Sequence, residues 1–538
     1  MKVRLLSLAA LLAAVALWTA TLGLRPLYEP DEGRYAEVAR EMYVSGDWIT
    51  PRLNGVKFFD KPPLQYWATA GTFRLFGINE WAARIWSSVI GLFGIAMACW
   101  GAAVLFGRRA DVIAALVLAS SPLWILGSNL TTTDIGVGAL LGSAVIAFAV
   151  AFQQRAGILF PAVWALIGLA FLAKGLIAVA LPAMTLALYV AMTRQHALFR
   201  SWKFWRWGLL ALLIGAPWIV SVSLRNPEFL NYFFVHEHFS RFVSDVHSRN
   251  KPAWFFLAVG AVGMLPWAGL IPRAVSLRGK TPGEFDARLF LSLWVIVVLG
   301  FFSIAKSKLP LYILPAFPPL AILLAARITE LRSRATAFAV MAMPLAGGAL
   351  ALLLWQPGLL EALSRHQVTE PRTLHWWGTI MAVLFILGGC AASEVARRGY
   401  IVRAVAAAAL ASLLAVQAGL TASLAFGALT VRTIGLKVKE LRHDDTTLFD
   451  VGQLNRGLAF YAQTIPVVVV ARDELHLGYT VEPNRWLASY DAFAQEWASS
   501  GHKLAVMRAD LFERLRKRLG DTTVIVARSG ANILVERQ

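Results

Sequence analysis

The chain has 538 residues, 58% hydrophobic and 15% charged, with a formal net charge of +19. So little charge, set between long apolar runs, excludes a water-soluble globular protein. The positive surplus does not mark a nucleic-acid binder: from residue 428 onward 15 Lys and Arg face 13 Asp and Glu, so the excess lies in the apolar part, where topology and anionic lipid head groups account for it.

A helix that crosses about 30 Å of hydrocarbon must satisfy its backbone internally and needs roughly 20 apolar residues. Segments near 5–24, 85–106, 112–128, 135–152, 158–174, 175–192, 208–224, 253–272, 288–305, 311–327, 336–355, 376–394 and 404–427 qualify, giving about 13 spans. The first run is long and lacks a clear small-residue cleavage site, so it reads as a span rather than a removed leader. Lys2 and Arg4 place the N-terminus in the cytoplasm, and every second loop after it is basic, including Arg108, Arg155, 194–206, 273–288, 327–334 and 397–403. The loops 25–84 and 225–252 and everything after 428 then fall outside. Cys99 and Cys390 lie inside expected spans, and no disulfide is expected.

The loop 25–84 carries helical patterns. Tyr35, Ala39, Met42 and Tyr43 recur on one face until Gly46, and Leu64, Trp67, Ala68, Gly71 and Leu75 do so until Gly77. Both read as amphipathic helices lying at the membrane interface. After 428 the pattern changes: 446–451, 466–471, 503–508 and 522–526 read as strands, with helices over 453–462, 490–499 and 509–519. The expected division is a transmembrane domain over 1–427 and a small external α/β domain over 428–538.

Charged groups gather at the outer boundary. Asp31 and Glu32 open the first interfacial helix, where a carboxylate either favours the helix N-terminus or acts on a ligand. Asp134 follows Asn129-Leu130-Thr131-Thr132-Thr133 at the same face, as a helix cap or a second acid. Lys61, Lys306 and Lys308, with Lys174 less firmly, lie at this face against the basic-inside trend. They either snorkel to head groups or meet a phosphate as compact point charges. His236, Glu237, His238, Arg241 and Asp245 crowd the loop 225–252, but the spacing fits no strong zinc motif, so a divalent metal is only weakly supported and its ligands are unknown.

These residues carry a resemblance. Tyr28 to Glu41, Ser45-Gly46-Asp47-Trp48, Asp60-Lys61-Pro62-Pro63, Tyr66-Trp67, Lys174-Gly175, Phe229 to Phe234 with His238 and Arg241-Phe242, and Lys306 to Pro315 together resemble bacterial lipid A 4-amino-4-deoxy-L-arabinose transferases. These are C-type membrane glycosyltransferases related to protein O-mannosyltransferases. The resemblance implies a mainly α polytopic fold in the bacterial inner membrane, an undecaprenyl-phosphate-linked sugar donor, a lipid A acceptor and membrane-lipid contacts. It requires no cofactor. It implies catalytic roles for Asp31, Asp134 and Lys61, with Glu32, Arg34, Tyr35, Tyr66, Lys174, His238, Arg241, Lys306, Lys308 and Tyr312 binding substrate. Glu29 and Gly33 are positions at which the family varies.

The implied activity is inverting transfer of the aminopentose to a lipid A phosphate, which lowers surface negative charge and confers resistance to polymyxin. A lipid-linked sugar transferase acting on protein or another glycan is the alternative. A transporter fits less well, because no internal repeat is visible and the unusual charges lie at one face.

Overall fold

The computed structural model describes residues 15–234, 251–278, 284–356, 358, 362 and 368–538. Among them, nine helices are long and apolar enough to cross a membrane, and two further bent pairs raise the count to 11. Each expected span from 85–106 to 404–427 coincides with one of these or with the shorter apolar helix Ile177–Thr193. Of the first expected span, residues 15–19 are helical and those up to 14 lie outside the described residues. The chain is a multi-pass membrane protein with a mainly helical body.

The bent pairs are Arg108–Ala119 with Pro122–Ser128, at 66°, and Phe255–Gly263 with Ala268–Ala274, at 118°. Their breaks meet. Trp267 Nε1 donates to Ser120 Oγ at 2.9 Å, and Ser412 Oγ donates to the Ser120 carbonyl at 2.6 Å. A helix broken in an apolar body exposes backbone groups, and side chains from neighbouring segments satisfy them here.

Ahead of the second span, helix α1 (Asp31–Ser45), the two-stranded ribbon β1 (Arg52–Leu53) and β2 (Val56–Lys57), and helix α2 (Leu64–Phe76) form a layer on one end of the bundle. α1 ends where Gly46 takes φ 73°, a left-handed cap suited to glycine. Its limits follow the sequence pattern, yet its environment does not. Residues from Glu32 to Met42 are buried, because the chain after 428 covers the face that an interfacial helix would leave in water. Glu37 accepts two bonds from Arg40, each at 2.6 Å, so the buried charge is paired.

The covering unit is a six-stranded sheet of β3 (Thr447–Val451), β4 (Val467–Val469), β5 (Trp486–Leu487), β6 (Lys503–Arg508), β7 (Thr523–Ser529) and β8 (Asn532–Arg537), in the order β5-β4-β3-β6-β8-β7. β5, β4, β3 and β6 are parallel, and β8 joins antiparallel to both β6 and β7. β5 and β8 were not among the expected strands: β5 has two residues, and in Asn532–Arg537 only Ile533, Leu534 and Val535 are apolar, a run too short to stand out. Along β3 and β6 the pleat sends alternate residues to opposite faces. Leu448, Leu504, Val506 and Leu534 pack with Ala36, Ala39, Ala70 and Phe73 of the loop helices. Phe449, Val451, Ala505 and Met507 pack under Phe493, Trp497, Phe512 and Leu515. Apolar character on both faces is what a covered parallel sheet requires.

Candidate active site

Arg84, at the start of the Glu80–Phe106 span, organises the loop before α1. It has no exposed side-chain surface. Its Nη1 donates to the carbonyls of Leu22 and Arg25 at 2.7 Å, its Nη2 to that of Pro26 at 2.6 Å, and Nε and Nη2 grip Glu32 at 2.7 and 2.8 Å. Burial alone would raise the Glu32 pKa, but Arg84, Arg25 and the Thr131 amide hold it below its ordinary value. Glu32 is therefore engaged in an internal pair that fixes the segment leading to Asp31.

Asp31 stands in the first turn of α1 after Pro30, where the helix terminus favours a negative charge, and it caps no backbone amide. Its side chain is 41% exposed and ion-paired with Arg34, which is buried. The Arg34 guanidinium lies 5.0 Å from the Tyr35 ring and also pairs with Glu474 of the sheet unit at 2.5 Å. Tyr35 feels the charges of Arg34, Asp31, Asp134 and Asp60, which places these groups around one centre. Tyr66 packs 6.1 Å from Tyr35, and its buried hydroxyl has no hydrogen-bond partner among the described residues.

Asp134 opens the Thr133–Gln153 span. Thr132 caps that helix, accepting from the Asp134 amide, and its hydroxyl also donates to Asp134 Oδ2 at 3.0 Å. Lys174, the last residue of its helix, ion-pairs with Asp134 and sits 4.1 Å above the Tyr312 ring. The weakest member of the predicted basic set thus joins the second acid. Lys61 Nζ donates to the Asp60 carbonyl at 2.7 Å. Lys306 is exposed, whereas Lys308 is buried without a side-chain partner among the described residues. Helices Glu80–Phe106, Thr133–Gln153 and Pro310–Glu330 begin at this end, and Gly157–Lys174 and Ala287–Ile304 finish at it, so the acids and lysines share one end of the bundle. His238 and Arg241, with the rest of the His236 cluster, lie outside the described residues. Among the described residues no three His, Cys, Asp or Glu side chains gather as metal ligands.

A cavity of ≈ 1000 Å³ opens at Asp31. Arg25, Tyr28, Glu29 and Glu32 contribute to its lining beside Asp31, and Leu126, Val259, Val262, Met381, Val416 and Leu420 are among its apolar lining residues. Burial pushes Glu29 up to about 7 despite bonds from the Gly457 amide at 2.6 Å and the Arg456 amide at 3.2 Å. Arg84, Asp60, Glu29, Arg456 and Glu474 were not predicted as site residues. Arg84 carried a signal, a lone charge at the head of an apolar run. Glu474 and Arg456 carried none, because only the tertiary fold brings them to α1.

Two family models match the chain: dolichyl-phosphate-mannose-protein mannosyltransferase over residues 60–220 and the aminoarabinose transferase C-terminal domain over 434–537. The chain is 37% identical over 316 residues to an undecaprenyl phosphate-alpha-4-amino-4-deoxy-L-arabinose arabinosyl transferase of Aeromonas salmonicida, a match spanning 57% of each protein. It is 34% identical over 395 residues to the corresponding transferase 1 of Sodalis glossinidius, covering 70% of this chain and 68% of the relative. The crystal structure of ArnT from Cupriavidus metallidurans bound to undecaprenyl phosphate superposes with a TM-score of 0.90 at 32% identity, covering 98% of this chain and 97% of that one. The body therefore has the C-type glycosyltransferase fold, and the chain belongs to the undecaprenyl phosphate-aminoarabinose arabinosyltransferase family.

Proposed function

We propose that the chain transfers 4-amino-4-deoxy-L-arabinose from undecaprenyl phosphate to a lipid A phosphate at the outer face of the bacterial inner membrane, with no cofactor, and so confers resistance to polymyxin. The observation that carries this reading is the cavity at Asp31, where charged side chains meet an otherwise largely apolar lining drawn from several spans. A lipid-linked sugar has that polarity: a charged, hydroxylated head on a long hydrocarbon chain. The undecaprenyl phosphate of the Cupriavidus structure supports the donor class.

The chemistry follows from charge. In glycosyl transfer positive charge develops on the sugar while negative charge grows on the departing phosphate. Asp31 and Asp134 answer the first, and Lys61 and Lys308 answer the second. Groups oriented in advance lower the barrier because they need not reorganise during the step. Lys308 is largely buried and has no side-chain partner among the described residues, so its ammonium is available to a phosphate oxygen. An acceptor phosphate is already anionic at neutral pH, so Asp31 orients it and stabilises sugar charge rather than removing a proton. Lys174, seated over the Tyr312 ring, pairs with Asp134 and holds it in place. The reaction is a single in-line displacement with inversion, and a covalent sugar on Asp31 would disprove it.

Mass spectrometry of lipid A from cells with and without the gene tests the whole reading. The expected result is an increment of one aminopentose that depends on the gene. A hexose increment, or a sugar found on protein with lipid A unchanged, would overturn it.

A further inference from the structure

We propose that the C-terminal sheet unit takes part in the reaction through Glu474, a positioning residue that holds Arg34 and thereby sets the Asp31 carboxylate; this rests on the reading of Asp31 as the acid at the sugar. The Arg34 guanidinium is buried, and its Nε has no hydrogen-bond partner among the described residues. Its orientation therefore depends on two carboxylates, Asp31 at Nη2 and Glu474 at Nη1. Tyr35 and Asp60 also face it.

Asp31 alone could not perform this task. A pair three residues apart on a helix is a weak restraint when one partner is 41% exposed. Glu474 supplies the second anchor from 440 residues away. Its other oxygen accepts from Arg456 Nε at 2.6 Å, and the Arg456 and Gly457 amides hold Glu29, two residues before Asp31. Ion pairs of alternating sign run from Asp31 through Arg34 and Glu474 to Arg456, and the main-chain amides at Arg456 and Gly457 return the chain of contacts to Glu29, close to Asp31 in the sequence.

The fold provides an independent argument. Arg456 follows β3 and Glu474 follows β4, so both stand beyond the C-terminal ends of adjacent parallel strands. That edge is where open α/β sheets present their functional groups. Here it is turned onto α1, and its loops close the site.

The test uses the full-length protein in nanodiscs with a polyprenyl-phosphate-linked aminopentose donor and lipid A. Glu474→Gln should lower kcat about tenfold or more while KM for both substrates stays within about twofold, and Glu474→Asp should recover part of the loss. Unchanged kcat in Glu474→Gln, or a loss confined to KM, overturns the positioning role. Asp31→Asn separates the two readings: if it remains active, the assignment of Asp31 falls, whereas an inactive Asp31→Asn beside a fully active Glu474→Gln removes only the role of Glu474. Should Glu474→Gln fail to fold, Arg456→Gln takes its place, because it leaves the Arg34 pair but frees the other oxygen of Glu474. Lowered kcat at unchanged KM in that variant supports the proposal, and wild-type kcat overturns it.

Discussion

Gly33 of α1 and Gly457 of the sheet unit lie in direct backbone contact. A Cβ added at Gly33 would sit 2.8 Å from the Gly457 amide nitrogen and 2.7 Å from Glu29 Oε1. Two pieces of main chain and a buried carboxyl cannot yield as a flexible side chain would. Gly33→Ala should therefore cost about 1–3 kcal/mol and reduce turnover by lifting the sheet from α1. Thermal unfolding and activity of the purified variant check this, and wild-type values for both would show that the contact is slack.

Asp31→Asn and Lys61→Ala should each lower transfer roughly 100-fold or more while the protein still inserts and purifies normally. A lipid A modification assay in cells lacking the native gene reads the effect. Activity retained by both variants would remove these residues from the reacting centre.

Lys174→Met leaves the largely buried Asp134 without its cation, a change that costs about 3–5 kcal/mol in a buried pair. Adding Asp134→Asn should restore much of the stability and none of the activity. A double mutant that also recovers transfer would make the pair purely structural.

Arg84 and Glu32 predict the opposite separation. Arg84→Met should destabilise by about 3–5 kcal/mol, since it strands Glu32 and three main-chain carbonyls. Glu32→Gln keeps one oxygen for Arg84 Nε and the Thr131 amide and leaves the three carbonyl bonds of Arg84 intact, so its loss should be smaller. Denaturation midpoints of the two variants rank them, and a milder Arg84→Met would contradict the tethering role.

Burial raises Glu29 and Asp450 to about 7 and Glu41 to about 8, from ordinary values of 4.5, 3.8 and 4.5. A folded-state value above the unfolded one means that the folded chain holds its proton more tightly. The corresponding stabilisation is complete below about pH 4 and is lost as pH rises through 7 to 8. The thermal midpoint should fall between pH 5 and pH 8, and Glu29→Gln should flatten that slope. A midpoint that climbs over this window would contradict the protonated state of these groups.

The sequence revealed the membrane spans, both loop helices and most of the sheet because each depends on local periodicity or run length. It also brought Asp31, Asp134 and Lys174 to one face, since topology follows from counting crossings and basic loops. What periodicity cannot give is the partner across a fold. The charges of α1 read as a solvated face, and the sheet unit covers them instead. Lys174 was placed at the same end as Asp134, but their contact joins separate helices and has no sequence mark. Glu474 lies in a three-residue turn of helix between short strands, indistinguishable by pattern from an ordinary surface acid.

The Arg34–Glu474 bridge also governs when the enzyme can first work. Arg34 is synthesised 440 residues ahead of its partner, after which most of the bundle must insert. A nascent chain halted anywhere before β4 would contain Asp31, Lys61, Asp134 and Lys174 yet leave the guanidinium loosely held. Contacts so distant along the chain form late and slowly. The contact that sets Asp31 thus becomes possible only when the sheet unit has been made, near the end of translation.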